Sequence, residues 1–321
     1  MNTAPLILTL STLLTCTLHA AETNDPLLRL ACTREYRPPK ETVEIIPKIE
    51  IGTGGGHPIL AAAFRPKAPS NGLRPAIVFI HGGGWNSGSH YNTFGAWLAE
   101  RGYVVASIGY RLTTEAVWPA QIEDCKLGVR WLRANAAQYG VDPDRIGVFG
   151  TSAGGHLAAC VGAMADRPEL EGAGGCTGVS SRVQAAAVFC GPSDFTGDWL
   201  KGLPYPPWVT ALFGADREKN PAAWRQASPA LAVKPGAPPF FIAHGKDDTH
   251  VPFAQGEAMY QALQRTGDPV EWVPIANAGH DFFLNASTPD SKMEPNHEVL
   301  MARLLAFFDK HLKNKEHPLH E

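Results

Sequence analysis

Charge is scarce in this chain. Charged residues make up 18% of its 321 positions, and 28 Lys and Arg against 31 Asp and Glu leave a formal net charge of −3. That balance provides no basic surface for nucleic acid or an anionic membrane, so neither is an expected partner. Cysteine is sparse at six residues, and no two stand at zinc-ligand spacing, so no metal centre is expected. After the first twenty residues no apolar run is long enough to span a bilayer, and no stable membrane association is expected. Internal repeats and linker-like stretches are missing too. The length would allow two domains, but a 44% hydrophobic chain without a linker reads as one large α/β domain. The glycine-rich Gly52-Thr53-Gly54-Gly55-Gly56 is not followed by Lys-Ser/Thr and joins two strands, which excludes a phosphate-binding loop. Glycine (32) and proline (27), by contrast, are plentiful, as many loops between short elements require.

The N-terminal run from Pro5 to Leu18 is apolar and rich in hydroxyls, and ends in Leu18-His19-Ala20. It is expected to be a signal peptide over 1–20, too short for a comfortable membrane span, although it has no Lys or Arg ahead of the apolar stretch. Leu13-Leu14-Thr15-Cys16 lacks the small residue that a lipoprotein site wants before its cysteine. Export would leave five cysteines, an odd number, with Cys176 pairing to Cys160 or Cys190 weighed against simple buried thiols.

A polar lead-in over 21–41 precedes a single domain over 42–312 with an insertion at 195–226, and a polar tail occupies 313–321. Thr42 to Ile51 and Pro58 to Arg65 read as an antiparallel pair of strands. Short apolar runs at 76–80, 184–190 and 239–243 suit strands buried on both faces, and 103–108, 145–149 and 270–275 read as further strands. Helical spacing predicts helices over 91–101, 120–139, 153–164 and 296–311. Strands alternating with helices specify an α/β fold with a mostly parallel sheet covered on both sides.

Gly150-Thr151-Ser152-Ala153-Gly154 follows the strand at 145–149. G-x-S-x-G at a strand-to-helix turn lifts a serine hydroxyl clear of the sheet. A serine needs a base to become a nucleophile. His280, in Ala278-Gly279-His280-Asp281, follows the last strand and has the proton affinity for that task. Asp248, in His244-Gly245-Lys246-Asp247-Asp248, follows the strand before it and would orient the imidazole. Ser152, Asp248, His280 is the chain order of α/β-hydrolases. The bland alternatives are an N-cap role for Ser152 and a loop role for His280, with Asp247 or Asp281 competing as the acid. Attack on a carbonyl also needs an oxyanion site. The side-chain-free loop His81-Gly82-Gly83-Gly84 can turn N–H groups inward, so the donors are assigned to Gly83 and Ala153, with Gly84 as a third. His81 reads as a loop brace and His156 as a packed helix residue. Trp85, Tyr110, Trp199, Tyr205 and Trp208 are candidates for lining a substrate pocket, against the even alternative of ordinary core aromatics.

The chain resembles α/β-hydrolases of the hormone-sensitive-lipase-like esterase group. More narrowly it is similar to exported bacterial carboxylesterases described as bifunctional feruloyl and acetylxylan esterases. The resemblance rests on Phe79 to Trp85, Gly109-Tyr110-Arg111-Leu112, Trp118 to Asp124, Asp142 to Ile146, Gly150 to His156, His244-Gly245 with Asp248, Val251-Pro252 and Gly279-His280, and covers about 45–312. It implies hydrolysis of a small-molecule or polysaccharide ester, such as a short-chain acyl, acetylated or feruloylated carbohydrate, with the acid on Asp248, no cofactor, and a periplasmic or secreted location. Relatives also include peptidases and formamidases, so a serine exopeptidase or an arylformamidase is the rival reading. A binding protein without activity is the remote one.

Overall fold

In the computed structural model of the chain, residues 25–197, 205–284 and 292–313 are described. The expected leader at 1–20, Trp199, and the tail beyond Lys313 lie outside the described residues. Eight strands follow in chain order: β1 Val43–Gly54, β2 His57–Pro66, β3 Arg74–Ile80, β4 Val104–Ile108, β5 Val141–Thr151, β6 Ala185–Phe189, β7 Phe240–Gly245 and β8 Val270–Ile275. They form one sheet in the order β1-β2-β4-β3-β5-β6-β7-β8. The β1–β2 and β2–β4 pairings are antiparallel, and every pairing from β4 through β3 to β8 is parallel.

Alternation along each strand feeds two cores. Ala76, Val78 and Ile80 of β3 and Val148 of β5 pack under helices Ala120–Ala134 and Ala153–Ala163. Ile77, Phe79 and Phe149, one residue out of step, point to the other face with Trp97 and with Leu300, Leu304 and Phe308 of helix His297–Phe308. A period of two puts successive side chains on opposite faces. Because both faces are covered, these strands read as unbroken apolar runs. Each fully buried Phe or Leu stabilises by about 1.5–3 kcal/mol.

Four local expectations are corrected. The first hairpin turns on Gly55-Gly56 alone, both at positive φ, so the strands run further into the glycine stretch than expected. The helix expected over 91–101 is reduced to Trp97–Glu100. Asn92 accepts the Phe94 N–H at 2.9 Å through its side chain, a local bond that competes with helix formation. The helix expected over 120–139 breaks at Asn135, whose side-chain amide donates to the Trp131 carbonyl at 2.8 Å, and a short second piece Ala136–Tyr139 ends at Gly140. Finally, Cys32, Cys125, Cys160, Cys176 and Cys190 are all free thiols, so the pairing of Cys176 with Cys160 or Cys190 is not made.

The described residues ahead of β1 are docked on the closing helix. Leu28, Ala31, Cys32 and Tyr36 are buried. Arg29 pairs with Glu298 at 3.2 Å, and His297 Nε2 donates to the Ala31 carbonyl at 2.7 Å, which fastens this segment to the closing helix.

Candidate active site

Ser152 stands between the end of β5 and helix Ala153–Ala163, at φ 55° and ψ −122°. A non-glycine residue rarely adopts that backbone, at a cost of about 1–3 kcal/mol. Two observations explain why it is held there. The Ser152 N–H donates to the Phe189 carbonyl of β6 at 2.8 Å. A side chain at Gly154 would strike the Ile80 carbonyl, and one at Gly155 would lie 2.7 Å from the Phe189 carbonyl, so the helix packs directly against the strand ends.

The loops after β7 and β8 bring two more side chains to this point. His280 Nε2 lies 2.9 Å from Ser152 Oγ, and His280 Nδ1 lies 2.7 Å from Asp248 Oδ2. With Nδ1 facing a carboxylate, the ring proton sits there and Nε2 is left to accept from the serine. All three residues leave the C-terminal ends of parallel strands, the side of such sheets where sites form. Asp247 and Asp281 are exposed, and Asp248, whose side chain is fully buried, is the carboxylate that meets His280 Nδ1.

Asp248 is held well below the usual carboxylate range. Burial would raise it, but hydrogen bonds from His244, His280 and the Val251 N–H outweigh burial. His280 moves the opposite way. Burial would lower it, while Cys190 and the Asp248 carboxylate raise it above the ordinary imidazole range. We assign the rise to Asp248, because burial pushes the Cys190 thiol up and leaves it uncharged near neutrality. Cys190, Asp248 and His280 also offer donor atoms within 4.8 Å of one another. The Nδ1–Oδ2 bond already joins two of them, and the third is a protonated thiol, so the set suits a hydrogen-bonded pair better than a cation.

The glycine loop flanks the serine. A side chain at Gly82 would lie 2.9 Å from the Thr151 carbonyl, and the Gly83 carbonyl turns away to accept from the N–H groups of Asn86 and Ser87 at 3.1 and 3.0 Å. Among the described residues, no protein acceptor takes the N–H of Gly83, Gly84 or Ala153. His81 braces this loop from behind. Its ring stacks on Tyr110 at 4.3 Å, its Nδ1 donates to the Gly82 carbonyl at 2.7 Å, and Tyr110 donates to its carbonyl at 3.1 Å. Burial lowers His81 to about 4, so it stays neutral. His156 is likewise buried and lowered to about 4, with Nε2 on the Ala227 carbonyl.

A cleft of about 540 Å³ opens over Ser152 and His280. Gly82, Gly83, Gly84 and Trp208 line it, together with Arg34, Asn86, Ser87, Phe94, His250, Asp281, Phe283 and Leu284. Of the aromatic candidates, Trp208 alone among the described residues reaches it. Trp85 is fully buried against His156, Phe195 and Trp208. Tyr110 is spent on bracing the loop, and Tyr205 packs on Trp224 and bonds the Phe195 carbonyl at 3.0 Å. The lining by Arg34, Phe94 and Phe283 has no local sequence signal, since each arrives from a different loop.

A family model described as BD-FAE matches residues 63–263, more than half of the chain. Esterase LipQ of Mycobacterium tuberculosis (strain ATCC 25618 / H37Rv) is 35% identical over 250 residues, which are 76% of this chain and 59% of LipQ. The chain thus spans about three-fifths of the length of the curated relatives it matches first. Among solved structures, a truncated carbohydrate esterase from gut microbiota superposes with a TM-score of 0.75 at 25% identity, covering 87% of this chain and 100% of that one. The thermophilic esterase Est2 of Thermogutta terrifontis gives 0.68 at 30% identity, covering 84% of this chain and 94% of Est2, and has also been solved with butyrate and with propionate bound.

Proposed function

The chain belongs to the BD-FAE family and has the fold of an α/β-hydrolase, and from that premise we propose that it is a serine carboxylic-ester hydrolase acting through Ser152, His280 and Asp248. The observation that carries this is the unbroken relay Oγ–Nε2, Nδ1–Oδ2 at 2.9 and 2.7 Å at the bottom of an open cleft. In the reaction, Ser152 Oγ attacks the acyl carbon while His280 takes its proton. The negative charge that forms on the carbonyl oxygen is met by the N–H groups of Gly83 and Ala153, with Gly84 beside them. His280 then gives its proton to the departing alcohol, leaving an acyl-enzyme. A water, deprotonated by the same imidazole, releases the acid and restores the serine. These steps use the chain's own residues throughout.

The relatives support an ester as substrate, since LipQ, the gut carbohydrate esterase and Est2 are all named esterases. Short acids bound to Est2 and the carbohydrate esterase likeness favour a short-chain acyl or acetylated carbohydrate ester, with a feruloylated one next. The apolar leader ending at Ala20 supports action outside the cytoplasm, and among the described residues no helix is long and apolar enough to cross a membrane.

A serine-reactive phosphonate should label the folded protein at Ser152. A panel of p-nitrophenyl acetate, longer acyl esters, acetylated xylan, methyl ferulate, N-formylkynurenine and aminoacyl anilides should show turnover of short esters with the amides left intact. Preferential amide cleavage would transfer the proposal to the peptidase or formamidase reading, and an unlabelled folded protein would end it.

A further inference from the structure

Asp248 is a carboxylate with no exposed side-chain surface, so every one of its lone pairs must be met by protein. An ionised carboxylate offers about four acceptor positions. Oδ1 takes the backbone N–H groups of His250 and Val251, each at 2.8 Å. Oδ2 takes His280 Nδ1 at 2.7 Å. A second imidazole approaches the fourth position: His244 Nε2 makes its hydrogen bond to the Val251 carbonyl at 2.9 Å and lies 3.3 Å from Oδ2, a close contact with the carboxylate. A carbonyl can only accept, so the ring proton is on Nε2 and points between Val251 and Asp248. His244 is itself wholly buried near the end of β7, and its Nδ1 meets no partner among the described residues, packed where Gly256 and Trp272 approach. One N–H therefore bonds the far end of the 244–251 loop while standing against the acid.

We propose that His244 is a positioning residue that shares Asp248 Oδ2 with His280 and thereby limits how tightly the carboxylate holds the His280 proton. This rests on the ester-hydrolase reading above. Oδ2 divides its charge between two donors. With the His244 donor removed, the whole of that charge acts on His280 Nδ1, and the imidazolium becomes harder to deprotonate. The free base that attacks with Ser152 is then present only at higher pH. The other groups facing the pair are Cys190, whose thiol contacts the His280 carbonyl at 3.6 Å, Ser152, and His250, whose ring lies 5.3 Å from that of His280. All three are unchanged across the variants below, so a shift is attributable to residue 244.

The test is the pH profile of kcat/KM on p-nitrophenyl acetate for the full chain and for His244→Leu and His244→Gln. Gln can place an amide donor near the Nε2 position, whereas Leu cannot donate. His244→Leu should lose about 10- to 100-fold in kcat, as expected for a hydrogen bond to a charged group, with KM little changed and the acidic limb moved to higher pH. His244→Gln should return the limb towards its original place and recover much of the turnover. If the Leu variant does not fold, His244→Asn, whose amide is too short to reach Oδ2, takes its place with the same expected shift. A folded Leu or Asn variant whose limb stays put overturns the proposal, as does a Gln variant as impaired as Leu with no shift in either, which would mark His244 as packing only. Ser152→Ala run alongside separates the two levels: retained activity there rejects the underlying hydrolase reading, whatever residue 244 does.

Discussion

Ser152 and Trp208 face the same cleft, but they are held there by different means. Ser152 is locked by backbone: a positive-φ turn, an N–H on the neighbouring strand, and glycines that let the helix close against β3 and β6. Asp248 and His280 are anchored in the same manner, each a few residues beyond a parallel strand. Trp208 sits on helix Pro207–Phe213 and keeps its place by packing over Trp85, which in turn packs on His156. The floor of the cleft therefore belongs to the sheet and the wall to the layer laid over it. Changes to the floor should alter chemistry at nearly constant substrate preference, and changes to the wall should do the reverse.

The sharpest way to break this contrast is at the serine. Ser152→Ala should lower kcat by about 10⁵- to 10⁶-fold on every ester tested, with the melting temperature nearly unchanged, because only one hydroxyl is removed. Residual activity above that level, measured on protein free of contaminating esterase, would mean that the floor does not hold the nucleophile. Asp248→Asn comes next, at about 10⁴-fold, through loss of the correct imidazole tautomer. It also carries a sign. His280 is raised by its partner carboxylate, so the fraction of free base, and with it activity, grows as pH rises. Neutralising residue 248 removes the chief cause, so the acidic limb of the small remaining activity should move to lower pH. That is opposite to the shift expected for His244→Leu, and two opposed displacements of one limb are difficult to obtain from general loosening of the loop.

The same contrast explains what was readable in advance. The floor is written in short local signals. Short runs such as Arg145 to Phe149 and Phe240–Gly245 end in turn residues, and Ser152 and Asp248 follow within a few positions, so the strands and the chain order Ser152, Asp248, His280 can be read from spacing. The wall has no such signal. Trp85 and Trp208 are alike as residues, and which of them is covered depends on contacts that no local spacing records. The helix expected over 91–101 was lost to a side-chain bond from Asn92 that helical periodicity does not register, and its place is taken by a loop that delivers Phe94 to the cleft. His244 was in view within His244-Gly245-Lys246-Asp247-Asp248, but its second contact is the Val251 carbonyl beyond the acid, and only the folded loop shows it.

The smallest expected effect on catalysis separates the two tryptophans. Trp208→Ala removes an aromatic surface from the cleft while leaving Ser152, His280 and the glycine loop in place. It should change kcat/KM for a favoured acyl ester by about 10-fold, mainly through KM, and alter the ranking of acyl chain lengths. Trp85→Ala removes a ring that no solvent touches and should leave that ranking largely intact. Its cost falls instead on the fold, at about 3–5 kcal/mol in denaturant unfolding, because a cavity opens among His156, Phe195 and Trp208. Measured together, a specificity change at 208 without a matching stability loss, and the converse at 85, locate the boundary between wall and core along a single aromatic contact of 5.8 Å. If both variants lost stability equally and neither altered chain-length preference, Trp208 would have to be counted with the core, and the wall of the cleft would be left to Phe94, Phe283 and Leu284.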